Sequence, residues 1–344
     1  MPPHARRTTL ATIAREAGVS VATVSKVVND RSDVAPRTRA RVQELLREHD
    51  YLAPVFRHTE AAKNPTIEVQ FNGDLKTYSA EALEGIIDAA AELGASVVIS
   101  KSSPAPHWAR DLASAGRRAL IAVTSMYTAA HVKELTRAGL PLVVLDPLHL
   151  PHSRVHSVGA TNFAGGLAAT EHLLGLGHRR IGYLGGPTLA VCNQARMHGY
   201  RAALEAAGAA TPAAYVRHGA FTNEAGRLGA AALLDLDEPP TAIFAGNDEI
   251  ALGVIEATRA RGLRIPEDLS VVGFDDTLLA RMAAPPLTTV RQPLREMGGI
   301  ALRTALRLAN GERVESHHIE LATELVVRAS TAPPQEAASA RAAP

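Results

Sequence analysis

Between residues 66 and 328, short apolar runs alternate with alanine-rich stretches of helical periodicity, and few folds accommodate that alternation. The apolar runs lie at 67–71, 97–100, 119–123, 141–145, 181–184, 242–245 and 270–274. Each is too short for a buried helix and lacks the polar alternation of a strand with one wet face, so strands covered on both sides are expected. Helical stretches at 80–93, 162–176, 197–207, 223–234 and 248–261 lie between most of them. Strand and helix in turn give parallel sheets with helices on both faces, a doubly wound α/β body. About 260 residues leave room for two lobes.

The first 52 residues follow a different rule. Thr9 can cap a helix carrying Leu10, Ile13, Ala14 and Ala17 on one face, with Gly18 closing it in a left-handed turn. Ser20 can cap a second helix with Val24, Val27 and Val28 at helical spacing. Pro36 suits the first turn of a third, which buries Val42, Leu45 and Leu46. A small all-α head is therefore expected, joined to the body by a polar, proline-bounded linker at 53–65. A low-complexity tail, expected to be disordered, follows from 331 to 344.

Composition closes off other classes. Hydrophobic residues are 46% and charged residues 21%, which excludes overall disorder. No run of 18 apolar residues offers a membrane span, and the N-terminal stretch has no apolar run before a small-residue cleavage site. The single Cys192 cannot form an internal disulfide, so a cytoplasmic setting is expected. Residues 1–60 hold ten Lys/Arg against seven acids, and the rest 26 against 28. A basic head on a neutral body suits a polyanionic partner for the head alone.

Within the head, Ala17-Gly18-Val19-Ser20 can form the elbow of a helix-turn-helix, with a second helix whose outer face is polar. Such a helix can enter a DNA major groove by its first turns. Ser20, Thr23, Ser25 and Asn29 suit phosphate contacts; Val21, Ala22 and Lys26 point towards base edges, the lysine as a donor to guanine and the methyl groups as partners for thymine. The same residues also suit a plain αα-hairpin with a serine cap, and local chemistry leaves both readings open.

In the body, polar residues gather at the carboxyl ends of the expected strands, where open α/β sheets hold their ligands. These are Asn72 and Asp74, Thr124 and Ser125, Asp146, Asn247 and Asp248, and Asp275 and Asp276. Arg196 is expected to open a helix, and Phe221 to follow a short strand. Planar bidentate groups match neighbouring hydroxyls, and an aromatic face covers the C–H side of a sugar ring. Taken singly, an Asp or Asn at a strand end is more often a cap or turn residue. The constellation carries the reading.

Thr9-Leu10-Ala11-Thr12-Ile13-Ala14 through Asn29, followed by Thr38-Arg39 and Tyr51, resembles the N-terminal signature of the LacI/GalR family of bacterial transcription regulators. Further segments of the body resemble the family in order. They are Leu93-Gly94-Ala95, Leu176-Gly177-His178-Arg179-Arg180-Ile181, Arg196-Met197-His198-Gly199-Tyr200, Asn247-Asp248, Val271-Val272-Gly273-Phe274-Asp275-Asp276, Leu287-Thr288-Thr289-Val290 and Leu325-Val326-Val327-Arg328-Ala329-Ser330-Thr331.

The resemblance implies a repressor that binds a palindromic operator as a homodimer. Thr9, Ser20, Val21, Ala22, Thr23, Ser25, Lys26, Asn29 and Thr38 would be its DNA contacts. It also implies a body like a periplasmic sugar-binding protein, with lobe one at about 66–158 plus 292–322 and lobe two at about 159–291 plus 323–330. Asp146, Arg196, Asn247 and Asp275 match effector contacts, Phe221 an aromatic contact and Gln292 a polar contact near the crossover. Asn72, Lys76 and Tyr78 fall in the first pocket loop, with Lys76 expected to face solvent; Ser125 joins the set from its strand end. A sugar effector is implied, with a nucleobase or corepressor as the alternative. Two positions depart from the family. Lys26 stands where members usually carry arginine, and Glu60 where the hinge helix usually carries a leucine that wedges into the minor groove.

Enzyme readings find little support. Gly182-Tyr183-Leu184-Gly185-Gly186-Pro187 is not a phosphate cradle, and Pro187 spoils a helix start. His149, His152 and His156 lie in a proline-bounded connection without matched carboxylates, so neither a metal nor a cofactor is expected. Cys192 has no evident base beside it, and a soluble sugar receptor would not carry the added head. The C-terminal stretch lacks the apolar heptads of a tetramer, so a dimer is expected.

Overall fold

The computed structural model describes residues 9–28, 33–49, 64–101, 105, 107–149, 155–210 and 212–335. Expectations for Asn29, Tyr51, Glu60, His152, nearly all of the linker and residues 336–344 lie outside the described residues.

The head is three helices, α1 (Leu10–Ala17), α2 (Val21–Val28) and α3 (Pro36–Glu48). Thr9 caps α1 by accepting the Thr12 N–H, and Gly18 ends it in the left-handed region at φ 67°, donating its N–H to the Ala14 and Arg15 carbonyls. Ser20 Oγ accepts the Thr23 N–H at 3.0 Å and starts α2. Ile13, Ala14, Val24, Val27, Val34, Val42 and Leu45 form the core, with Leu10, Val19, Val28 and Leu46 packed around them.

The body runs β1 (Thr66–Phe71), α4 (Thr77–Leu93), β2 (Ser96–Lys101), α5 (Trp108–Ser114), β3 (Arg117–Val123), α6 (Ala129–Ala138), β4 (Leu142–Leu145), β5 (His156–Ala160) and α7 (Asn162–Gly175). It continues through β6 (Ile181–Gly185), α8 (Val191–Ala206), β7 (Val216–His218), α9 (Asn223–Leu234), β8 (Ala242–Ala245), α10 (Asp248–Ala260), β9 (Ser270–Asp275) and α11 (Leu278–Met282). Last come β10 (Thr288–Arg291), α12 (Leu294–Ala309), β11 (His318–Leu321) and β12 (Glu324–Val326).

Two six-stranded sheets result, ordered β11-β5-β4-β3-β1-β2 and β12-β10-β9-β8-β6-β7. Every pairing is parallel except β10 with β12. The chain passes between the sheets at 160–162, 291–294 and 321–324, always at the edge holding β5 and β11 in one and β10 and β12 in the other. Ile67, Val69, Phe71, Ile121 and Val143 pack on Ile86 of α4 and Met297 and Leu302 of α12. The second sheet is covered on both faces. Ile243 and Val271 meet α9 and α10, while Tyr183, Phe244 and Phe274 meet α7 and α8.

The seven expected strands all form. β5, β7, β10, β11 and β12 have no apolar run to announce them and are recruited by pairing with neighbours already in place. The expected helix at 197–207 starts six residues earlier. Arg196 therefore lies within α8 and does not open it, because Ala190 supplies no side-chain cap to mark the start. The tail also needs correction. Thr331, Ala332 and Gln335 hydrogen-bond Thr288, Ser270 and Asp268, so 331–335 are held against the second sheet. Among the described residues no helix is long and apolar enough to cross a membrane.

Candidate functional site

On α2, Val21 and Ala22 point outward; Val21 is 47% exposed, a large apolar side chain with no core to fill. Ser20 and Thr9 are exposed at the helix starts, while Thr23, Ser25 and Thr38 are half-buried. Ser20 Oγ accepts the Thr23 N–H and shares a second hydrogen bond with the Thr23 hydroxyl at 2.9 Å, which fixes both hydroxyls at the positive end of the helix. Lys26 is exposed but engaged: Nζ donates to Asp33 Oδ2 at 2.7 Å. Any base contact from Lys26 would have to displace this acidic neighbour, a partner that pattern alone did not reveal.

In the body, the strand ends place several side chains in sparsely populated backbone conformations. Thr124 (φ 46°), Asp146 (φ 45°), Asp275 (φ 111°) and Asp276 (φ 58°) are left-handed although none is glycine. Such positions cost of order 1–3 kcal/mol each and cluster where function requires them. With both backbones left-handed, Asp275 and Asp276 point to different partners. Asp275 turns to Gln292 and Arg196. Asp276 is buried against Arg291 and Arg328, at 2.8 and 2.5 Å, as an ion-paired brace.

Arg196 is the centre of the arrangement. Nε donates to Asn162 Oδ1 at 2.7 Å, Nη1 to the Gly246 carbonyl at 2.6 Å, and the guanidinium lies 3.8 Å from the centroid of the Phe274 ring. Asp275 Oδ1 stands 3.8 Å from Nη1 and accepts from Gln292 Nε2 at 2.7 Å. Within the first lobe, the Tyr78 hydroxyl donates to Asp146 Oδ2 at 2.9 Å. Burial pushes the Asp275 carboxyl well above its ordinary range; Arg196 opposes that shift and buried Asp248 adds to it. Burial likewise raises Asp146, with Arg196 and the Tyr78 hydroxyl pulling it back. Cys192 is buried nearby and pushed up to about 12, an unreactive thiol.

Two buried atoms in this region find no partner, Ser125 Oγ and Gln292 Oε1, on residues 2% and 3% exposed. Buried polar groups are nearly always paired, so both ask for one. With the carboxylates of Asp146 and Asp275 and the guanidinium of Arg196, they form a set of fixed donors and acceptors suited to a small polyhydroxylated molecule.

The structure thus groups Tyr78, Asp146, Arg196, Asp275 and Gln292, with Phe221 5.9 Å from the Arg196 guanidinium and packed on Gly186. Asn247 caps α10 through the Ile250 N–H at 2.9 Å. Asn72 is exposed and joins none of these contacts. Lys76 does not face solvent freely: Nζ donates to the Phe221 carbonyl at 3.1 Å and to Glu249 at 2.5 Å. Asn162, Phe274 and Gly246, which hold Arg196, were not anticipated; their roles depend on how α7, α8, β8 and β9 come together. His156 packs on His317, with ring centroids 4.5 Å apart, and no group of three His, Cys, Asp or Glu among the described residues could hold a metal.

Comparison with known proteins adds independent findings. A family model for the lacI family of bacterial regulatory proteins matches residues 9–53, and one for a periplasmic binding protein-like domain matches 170–331. The HTH-type transcriptional regulator DegA of Bacillus subtilis (strain 168) is 34% identical over 335 residues, covering 95% of this chain and 99% of its own. Among solved structures, a complex of the transcriptional regulator CelR with cellobiose superposes with a TM-score of 0.72 at 32% identity, covering 94% of this chain and all of that one. The lac repressor dimer bound to operator and the anti-inducer ONPF gives 0.70 at 29% identity, covering 95% and 100%.

Proposed function

This chain belongs to the lacI family of bacterial regulatory proteins, DNA-binding transcriptional regulators and not enzymes, and from that premise we propose that it is a dimeric repressor controlled by a sugar. Two heads address the half-sites of a palindromic operator, each inserting the start of α2 into a major groove. A mono- or oligosaccharide held between the lobes shifts the balance between two arrangements of the body, and with it the spacing of the heads. It does so only because it binds those arrangements unequally.

The observation that carries the effector reading is the buried cluster around Arg196. Its guanidinium is fixed on three sides, two carboxyls and a phenol stand by it, and Gln292 Oε1 and Ser125 Oγ are unpaired. The structural relative solved with cellobiose supports the same class. Dimerisation is supported by apolar surface on each lobe: Ile87 of α4 and Ile99 of edge strand β2 on one, Leu278 and Met282 of α11 on the other.

Selection of duplexes from a random library tests the head. The wild-type protein enriches a palindrome, and replacement of Val21, Ala22 and Lys26 together by glutamate abolishes that enrichment. Undiminished enrichment by the triple variant refutes the groove assignment. Thermal shifts across pentoses, hexoses and disaccharides test the cleft; a nucleobase that raises the melting temperature while every saccharide fails overturns the sugar reading.

A further inference from the structure

The three chain passages tie the lobes along one edge of the sheets, and two ionic side-chain contacts also bridge them. Both arise from the start of α4. Lys76, which begins the helix, reaches Glu249 in the first turn of α10 at 2.5 Å and the Phe221 carbonyl at 3.1 Å. One turn on, Glu81 Oε1 accepts the Leu278 N–H at 3.2 Å and lies 3.4 Å from Arg281 Nη2. Lys76 follows β1, near the far edge of its sheet, and Phe221 follows β7, the far edge strand of the other. On the second lobe, Glu249 follows the central strand β8, and Leu278 and Arg281 follow β9, so the two contacts join the lobes through side chains beyond the strand ends, apart from the three backbone passages.

We infer that Lys76 and Glu81 form an ionic clasp that sets how readily the lobes part, independently of any guest. The inference stands whether or not the effector is a sugar. An ion pair at a surface contributes little alone, so the clasp acts as an adjustable bias and not as a lock. A bias suits a two-state body, because a guest with a modest preference for one arrangement can then overcome it. Its charges lie partly in solvent, with Lys76 and Arg281 side chains 41% and 48% exposed, so salt weakens it. It also gives Lys76, expected from the sequence to face solvent, a carboxylate partner on the other lobe.

The Leu278 amide reports the clasp directly, because its N–H crosses the cleft to Glu81. Hydrogen–deuterium exchange on the full chain, without DNA or small molecule, tests the idea. Lys76→Glu and Glu249→Lys each break the first contact while leaving Glu81 and Leu278 intact. Each is expected to speed exchange of the peptide containing Leu278 about fivefold, and the double reversal K76E/E249K to restore the wild-type rate. Raising sodium chloride in the wild-type protein should act in the same direction as the single variants. Exchange at Leu278 that ignores both single variants, or singles that accelerate it without rescue by the double, overturns the clasp. Neither outcome bears on DNA recognition, which the duplex selection tests separately.

Discussion

Asp248 is the buried acid whose chemistry reaches furthest into the behaviour of the body. It accepts from the Thr277 N–H at 2.8 Å, the Thr277 hydroxyl at 3.0 Å and the Thr289 hydroxyl at 2.7 Å, yet burial outweighs these bonds and pushes its carboxyl up to about 7. A carboxyl raised in the folded state retains a proton that the unfolded chain has already released. Stability therefore falls as pH rises from about 4 towards 7, by at most ~1.4 kcal/mol per unit for this group, and levels off above. Asp275, raised in the same direction, adds to the slope. Asp248→Asn should flatten the dependence while lowering stability at pH 5, because the amide NH2 places two protons where the neutral acid places one and cannot accept from a threonine hydroxyl. Melting temperatures across pH 5–8 check this, and a variant with the wild-type slope refutes it. Residue types at strand ends were readable in advance because buried acids and amides there have few uses. Their partners were not: Arg196 meets Asn162 only because two helices cross, and Lys76 meets Glu249 only because two lobes face each other.

Three helix pairs share one device: α4 with α12, α7 with α8, and α9 with α10 each cross at a glycine from both partners. Gly85 lies against the Arg295 backbone and Gly298 against Ala82; Gly166 lies against Arg196 and Gly199 against Phe163; Gly226 lies against Ile250 and Gly253 against Asn223. A methyl group at any of these would overlap a carbonyl oxygen. The second pair bears on the cleft, since Arg196 sits one turn before Gly199 on α8. Gly199→Ala should push α8 away from α7, cost about 1–3 kcal/mol and weaken binding of whichever saccharide shifts the wild-type protein. Gly175→Ala, at the end of α7 with open space around it, should be neutral or stabilising by up to ~1 kcal/mol. Urea unfolding distinguishes the two, and equal effects would show that close approach is not what Gly199 provides. The same glycines explain what was illegible at this scale. Gly298-Gly299 interrupts the apolar pattern of α12, so that helix was not anticipated although it covers much of the first sheet. Long alanine-rich helices and continuous apolar strands were legible because their periodicity is local. The short edge strands, whose stability comes from neighbours, were not.

For the whole molecule, the apolar surfaces on the two lobes make a demand that neither makes alone. Ile87 and Ile99 belong to the first lobe, Leu278 and Met282 to the second. A second copy covering both surfaces senses any change in how the lobes are arranged, because moving one patch against the other spoils the match. Met282, 73% exposed on α11, is the most accessible of the four. In the proposed dimer, Met282→Glu would bury an unpaired charge and should raise the dissociation constant at least about tenfold, read by sedimentation equilibrium. Affinity for a full palindrome should then fall towards that of an isolated half-site, while affinity for the half-site stays at its wild-type value, because α2 and its exposed face are unchanged. Loss of half-site binding as well would mean that the substitution acts through folding and not through pairing. Reciprocity gives a second constraint on the same system. If a saccharide weakens operator binding by some factor, saturating operator must weaken saccharide binding by that factor. In the Met282→Glu monomer, where the lobes no longer answer to a partner, both factors should collapse towards one together, and a coupling that survives in the monomer would locate the switch within a single chain.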